Sequence, residues 1–280
     1  INDVPANKRP TAMVFQSLAL FNHKTVGENI GFALKMRGVS KQQRTARALE
    51  LLDLVRLPRS YVGRMPGQCS GGERQRIALA RALASDPEIL FFDEPLSAID
   101  YQLRKILEVE MKELHRRTGK TFIYITHSLE EAMVMSDRIA VLRNGAIIQV
   151  GAPREIYRRP ADRFVAAFMG EVNLLRVELQ GGAILLPELG TRLEPDSRVA
   201  EPGYLVLRPE NLRVLGQAEP AQCSFEATVT DEFVLGSRTQ LHVVRGERRL
   251  LSEIASDRPP LVGTQCRFGF NLDDTAFVRD

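Results

Sequence analysis

Two adjacent acids, Asp93 and Glu94, close the apolar run that begins at Ile89, and Pro95 follows them. Carboxylates are costly to bury without a partner. Two of them ending a run of four apolar residues therefore mark a place where charge is wanted. At the C-terminal end of a parallel strand they would face the ligand crevice of an open α/β sheet. Asp93 is then placed to hold a divalent cation and Glu94 to polarise an attacking water. A strand end running into solvent is the plainer reading, and it accounts poorly for two acids and a proline together. Ser70-Gly71-Gly72-Glu73 opens a helix-compatible run. Glycines there let backbone amides approach an anion closely, and the helix dipole favours negative charge; an ordinary capped helix is the alternative. His127 lies just beyond the apolar run Thr121–Ile125, within reach of a phosphate or satisfied structurally. Gln16, after Met13-Val14-Phe15, reads by itself as a loop residue.

The elements that must hold these residues alternate along residues 25 to about 170. Four helix starts carry the capping-box pattern, a hydroxyl followed three residues later by Glu or Gln: Thr25 with Glu28, Ser40 with Gln43, Ser70 with Glu73, and Ser128 with Glu131. The helix after Tyr101 carries Leu103, Ile106, Leu107, Met111 and Leu114 on one stripe and stops at Gly119. Buried-type strands are expected at 89–92, 121–125 and 139–142, the last entering a hairpin through Asn144-Gly145 before 147–150. Strands separated by helices predict a mainly parallel sheet covered by helices. Near Gly170 the pattern changes. Phe225, Ala227 and Val229 alternate with Glu226 and Thr228, and Cys266, Phe268 and Phe270 with Arg267 and Gly269. This predicts a small all-β domain of short strands, a barrel or sandwich.

Composition narrows the field further. The chain of 280 residues is 44% hydrophobic and 26% charged, with a formal net charge of +3. That is ordinary for a globular protein of about two domains, and too near balance to imply nucleic acid. No apolar run approaches the roughly 18 residues that span a bilayer, so a membrane role is expected to be peripheral. Cys69, Cys223 and Cys266 form no C-x-x-C, which fits reduced thiols better than a disulfide framework or a zinc site. Ile1 to Arg9 reads as a strand end and a loop entered part-way.

Order and spacing carry more than any one motif. Val14-Phe15-Gln16, Gln68 to Leu83 around Ser70-Gly71-Gly72, Ile89 to Glu94, Ser97 to Asp100, and His127 resemble, in that order, the Q-loop, signature motif and helix, Walker B strand, D-loop and H-loop of ATP-binding-cassette (ABC) ATPases. The tail resembles a TOBE domain, chiefly through Leu207-Arg208-Pro209-Glu210, with support from Leu235-Gly236-Ser237. The resemblance implies an α/β, P-loop-NTPase-like ABC ATPase domain over residues 1–170, with a helical subdomain at about 25–85. A small all-β, OB-like TOBE domain over 171–280 follows. It implies ATP and Mg²⁺ as cofactors, Glu94 as catalytic base, Asp93 and Gln16 at the metal, and His127 at the γ-phosphate. Ser70, Gly71, Gly72 and Glu73 would meet nucleotide held by an opposing subunit, and Asp100 would line the dimer seam. The partners implied are a second ATPase subunit, inner-membrane permease subunits met near Leu18–Val55 and, indirectly, a periplasmic solute-binding protein. The place implied is the cytoplasmic face of the inner membrane. Segment Val4 to His23 is most similar to the polyamine and related small-solute importer group.

The departures are specific. G-x-x-x-x-G-K-[ST] does not occur; Gly119-Lys120-Thr121 has Leu114 at the position of the first glycine and lies between a helix and a strand. The expectation is that the phosphate loop lies upstream of Ile1, and that these residues alone leave apolar surface and a sheet edge open. Cys69 stands where the family usually has Leu, Glu73 where it has Gln, Ser128 where Asp is common, and Asn22 where Pro is common. Glu73 adds negative charge beside an anion site. Two alternatives stand beside the importer reading: a non-transport ABC ATPase, and a catalytically dead partner or relic. Phe225, Phe268 and Phe270 at alternating, core-type positions speak against a base-stacking surface, and no nucleic-acid partner is expected.

Overall fold

Apolar runs that lie far apart in the chain become neighbours in one parallel sheet. β1 (Thr11–Val14), β2 (Ile89–Asp93) and β3 (Thr121–Ile125) lie in that order, with Val14 beside Phe92 and Asp93 beside Ile125. The computed structural model of the protein describes residues 2–5, 8–97, 99–216, 218–255 and 259–279. The reading of residues 1–9 falls partly on Ile1, Ala6 and Asn7, and that of 97–100 partly on Ala98; these four lie outside the described residues. The chain divides into two compact units, Ile1–Ser136 and Asp137–Asp280.

In the first unit the sheet shares a core with α1 (Val26–Ile30), α2 (Phe32–Met36), α3 (Lys41–Leu54), α4 (Gly71–Leu83) and α5 (Tyr101–Thr118); α6 (Leu129–Met135) follows β3. One sheet face, Val14, Leu90 and Phe92, is buried with Ile30, Leu51, Leu52, Ile77 and Leu83. On the other face Met13, Ile123 and Ile125 are exposed. α5 ends at Gly119, whose φ of 62° supplies the left-handed cap. Its buried stripe is narrower than expected: Leu107, Met111 and Leu114 are buried, but Ile106 is 53% exposed. Positions 103, 107, 111 and 114 hold one face, and Ile106 falls about 100° from Leu107.

Three of the four capping boxes form as expected, at Thr25, Ser40 and Ser70. At α6 only half of one forms. Ser128 accepts from the Glu131 amide, and the Glu131 carboxylate turns elsewhere.

Buried Asn29 ties α1 to the chain before it. Its Oδ1 accepts from the Phe21 amide at 2.8 Å, and its Nδ2 faces the carbonyls of Phe21, Lys24 and Thr25 at 3.0–3.2 Å. Asn29→Ala is expected to cost about 2–3 kcal/mol, because it strands a half-buried amide and opens a void. A urea melt checks this, and an unchanged midpoint would contradict it.

The second unit opens with the hairpin β4 (Ile139–Arg143) and β5 (Ala146–Gly151), turned at Asn144 and Gly145, both with positive φ. Then come α7 (Pro153–Arg158), α8 (Arg163–Phe168) and ten strands: β6 (Asn173–Gln180), β7 (Ala183–Leu186), β8 (Thr191–Leu193), β9 (Gly203–Leu207), β10 (Arg213–Val214), β11 (Cys223–Val234), β12 (Thr239–Arg245), β13 (Arg248–Ile254), β14 (Gln265–Phe270) and β15 (Thr275–Val278). They make two antiparallel sheets, ordered β10-β14-β11-β12-β13 and β15-β9-β6-β7-β8. Both feed one core, in which Leu175, Ile184 and Leu207 meet Phe225, Phe268 and Phe270. The aromatics expected to be core are buried, and Cys266 is half-buried. Leu235 to Arg238 forms the β11–β12 turn, with Gly236 at φ 80°.

The boundary expected at 170/171 and the division at 136/137 differ for a physical reason. Ala166 of α8 packs with Val206 and Val278, and Arg208 binds carbonyls of both α7 and α8. These helices thus group with the β strands beyond them.

Candidate active site

Parallel register brings the ends of β1, β2 and β3 level, so the residues that follow each strand converge. Glu94 follows β2 with φ 43°, a left-handed conformation that costs a non-glycine residue roughly 1–3 kcal/mol. The surroundings hold it on both sides. Its amide donates to the Ile125 carbonyl at the end of β3 (3.0 Å), and its carbonyl accepts from Ser97 Oγ (2.9 Å). Ser97 Oγ also accepts from Gln16 Nε2 at 3.1 Å. Gln16 therefore presents Oε1 as its open acceptor.

The Glu94 side chain points at the third strand's extension. His127 Nδ1 lies 3.2 Å from Glu94 Oε1, and the His127 side chain is 73% exposed. With Nδ1 turned to the carboxylate, Nε2 faces outward as the nitrogen available to a ligand. Asp93 ends β2 one residue earlier, half-buried. Four expected residues, Gln16, Asp93, Glu94 and His127, thus gather at the ends of three adjacent strands.

The others stand on helix starts. Asp100 caps α5, its Oδ1 accepting from the Leu103 amide at 3.0 Å. Ser70 caps α4. A Cβ on Gly72 would lie 3.3 Å from Leu103 Cδ1, so glycine permits the close approach of α5, whereas one on Gly71 would meet open space. Glu73 is fully engaged, Oε2 accepting from the Ser70 amide (2.7 Å) and Oε1 from the Tyr61 hydroxyl (2.8 Å). The Ser70 amide, then Tyr61, holds the Glu73 carboxyl below the usual carboxylate range. Among the described residues no hydrogen bond or ion pair joins this turn to Glu94 or His127.

Sequence reading missed several positioning groups. Leu18 and Ala19 both have positive φ, 59° and 44°. Arg81 of α4 donates to their carbonyls at 2.7 and 2.5 Å. Thr126 and Glu131 hold the turn at His127. A hydroxyl beside the histidine was the available signal for Thr126; nothing local marks Arg81.

Two oxygen acids and an amide oxygen are hard donors, and among the described residues no group of three or more His, Cys, Asp or Glu is placed to hold a metal ion by itself. That donor set fits Mg²⁺, which is commonly held by one or two carboxylates together with substrate phosphates.

The ABC transporter family matches residues 2–97, and the TOBE domain family matches 205–278. A spermidine/putrescine import ATP-binding protein PotA from Roseobacter denitrificans is 45% identical over 248 residues, covering 86% of this chain and 68% of that protein. Proteins of the same name from Mesorhizobium japonicum and Thermotoga maritima are 43% and 41% identical, with 68% and 69% of their lengths covered. The chain thus spans about two thirds of the length of these relatives. It belongs to the ABC transporter family of ATP-binding proteins, whose members are ABC-type ATPases, and it carries a TOBE domain.

Proposed function

We propose that this chain is the energy-coupling ATPase subunit of a bacterial importer for small solutes of the polyamine class. The observation that supports this best is the Glu94–His127 pair at the ends of β2 and β3, in a chain 45% identical to a spermidine/putrescine import ATP-binding protein. The ATPase domain is read as residues 1–170 and the TOBE domain as 171–280.

In this reading Glu94 is the general base, its second carboxylate oxygen free to orient water toward the γ-phosphate. His127 offers Nε2 to that phosphate while Nδ1 stays on Glu94. Asp93, with Gln16 Oε1, would hold Mg²⁺, which when bound neutralises charge on the β- and γ-phosphate oxygens. Gln16 also connects the site to the strained turn at Leu18–Ala19 and the segment Leu18–Val55, where permease subunits would dock. Ser70, Gly71 and Gly72 serve ATP held by the opposing subunit of a dimer, and Asp100 lines the seam between them. No helix among the described residues is long and apolar enough to cross a membrane. A peripheral place on the cytoplasmic face, beside a permease fed by a periplasmic binding protein, fits that arrangement.

The test is uptake of labelled spermidine and putrescine by cells with and without the gene. Loss of uptake, restored by the wild-type gene and not by a Glu94→Gln copy, is expected. Unchanged uptake of both would reject the polyamine assignment.

Glu73 yields a second expectation. Glu73→Gln keeps a capping box but removes a charge beside Ser70–Gly72. The apparent affinity for ATP should rise about two- to fivefold at low salt, from roughly 0.3–1 kcal/mol of removed repulsion, and the gain should shrink as salt rises. Stability should move the other way. With its folded pKa lowered, Glu73 stabilises above its unfolded value, and that contribution is lost as pH falls through the folded value. The variant should therefore melt slightly earlier at neutral pH and match the wild type in acid. Salt-dependent ATP titrations and melts from neutral to acid pH check both halves.

A further inference from the structure

The Glu131 carboxylate is 3% exposed and does not cap its own helix. Its Oε2 accepts from Thr126 Oγ1 at 2.8 Å and from the Tyr124 hydroxyl at 3.1 Å, while Oε1 lies 3.9 Å from Arg104 Nε. Thr126 Oγ1 in turn accepts from the Ser128 amide at 2.9 Å. One hydroxyl therefore joins the residue before His127 to the residue after it and fixes both to a buried anion. Arg104 Nη2 also donates to the Ile99 carbonyl at 2.9 Å, beside Asp100.

A buried carboxylate without partners would be expensive, and this one finds them only while the turn keeps this shape. His127 itself is exposed, and among the described residues no side chain other than Glu94 hydrogen-bonds to it or pairs with it. The turn is then what holds the imidazole in place. The Glu94 backbone hangs on Ile125, one residue before Thr126. Both halves of the Glu94–His127 pair are thus anchored at the end of β3.

We propose that Glu131, acting through Thr126, is a positioning residue that sets where His127 stands against Glu94. This rests on the proposed roles of Glu94 and His127. Neither Glu131 nor Thr126 needs to touch nucleotide; what they supply is a fixed turn, and small misplacements at a reacting centre are costly in rate.

The experiment is steady-state ATP hydrolysis by the full-length protein carrying Thr126→Val, Thr126→Ser, Tyr124→Phe or His127→Ala, and by the Thr126→Val, His127→Ala double variant. Thr126→Val keeps the shape and removes both hydroxyl bonds, so kcat should fall about tenfold with the KM for ATP unchanged. Thr126→Ser should restore kcat. Tyr124→Phe also removes one bond to Glu131 but leaves the turn intact, so its kcat should stay near wild type. In the His127→Ala background Thr126→Val should add nothing. Should Thr126→Val fail to fold, Thr126→Ala makes no demand for space and gives the same readout.

Impaired His127→Ala beside normal Thr126→Val would overturn this proposal alone. Equal losses in Thr126→Val and Tyr124→Phe would also overturn it, since they would mark a merely structural network. Unimpaired His127→Ala would overturn the assigned role of His127 and this proposal with it.

Discussion

Glu94→Gln in the full-length protein is expected to lower ATP turnover by about two to four orders of magnitude, the range for removing a well-placed general base, and to leave the KM for ATP within about twofold. The substitution is nearly isosteric and keeps an oxygen where His127 Nδ1 now finds one at 3.2 Å. The backbone at φ 43° is held by Ile125 and Ser97 through main-chain atoms, so the strained turn should survive. What disappears is the capacity to take a proton from water. The proposed ATP-dependent dimer should therefore still form, and by slowing hydrolysis the variant should accumulate it in the ATP-bound state. Steady-state hydrolysis, nucleotide binding and size-exclusion chromatography with ATP together read the result. Hydrolysis at the wild-type rate would remove Glu94 as the base. A loss of ATP binding as large as the loss of rate would mean that the side chain serves the ground state instead.

The elements that sequence reading located share one property: their partners lie within one turn or one strand. The pairs Thr25–Glu28, Ser40–Gln43 and Ser70–Glu73 close over three residues, and the Asn144-Gly145 turn over two. Phe225, Ala227 and Val229 alternate because a strand has two faces. Asp93 and Glu94 were legible because two carboxylates after an apolar run are costly enough to be noticed, whereas Gln16 and His127 stood out only through the order and spacing of the motifs. The supporting groups were not, because their partners are distant in the chain. Arg81 reaches Leu18 and Ala19 across more than sixty residues, and Gln16 reaches Ser97 across eighty-one. Glu131 shows where a local rule yields to tertiary structure. Spacing offers it to the Ser128 amide, but Tyr124 of β3, Thr126 just beyond it and Arg104 of α5 converge on it, and the buried site decides. The grouping of α7 and α8 with the β strands was not legible for the same reason: they look like any other helices until their packing partners are known.

Arg208→Met is expected to destabilise the second unit by about 3–4 kcal/mol, enough to lower its melting temperature by roughly 10 °C. Arg208 is 4% exposed, and its guanidinium donates to the carbonyls of Ala166, Gly170, Glu171 and Tyr157 at 3.0–3.3 Å. Two of those carbonyls end short helices, where no further helical amide follows to pair with them. A planar fork with several donors can meet all four at once, which one lysine ammonium on a flexible stem does less well. The face of Tyr157 covers the guanidinium at 4.1 Å, and the Tyr157 hydroxyl donates to Glu210 at 2.8 Å. Burial, then that bond to Glu210, pushes the phenol up to about 12. The stretch Leu207-Arg208-Pro209-Glu210 thereby acquires a physical meaning: its arginine fastens α7, α8 and the segment after them to the end of β9. Methionine fills much of the space and replaces none of the donors. Arg208→Lys should fall between methionine and wild type. Hydrogen exchange should rise at amides of residues 157–171 in Arg208→Met while amides of β1, β2 and β3 keep their protection. A melt unchanged from wild type, or exchange raised equally in both units, would show that the four carbonyls are held by something other than Arg208.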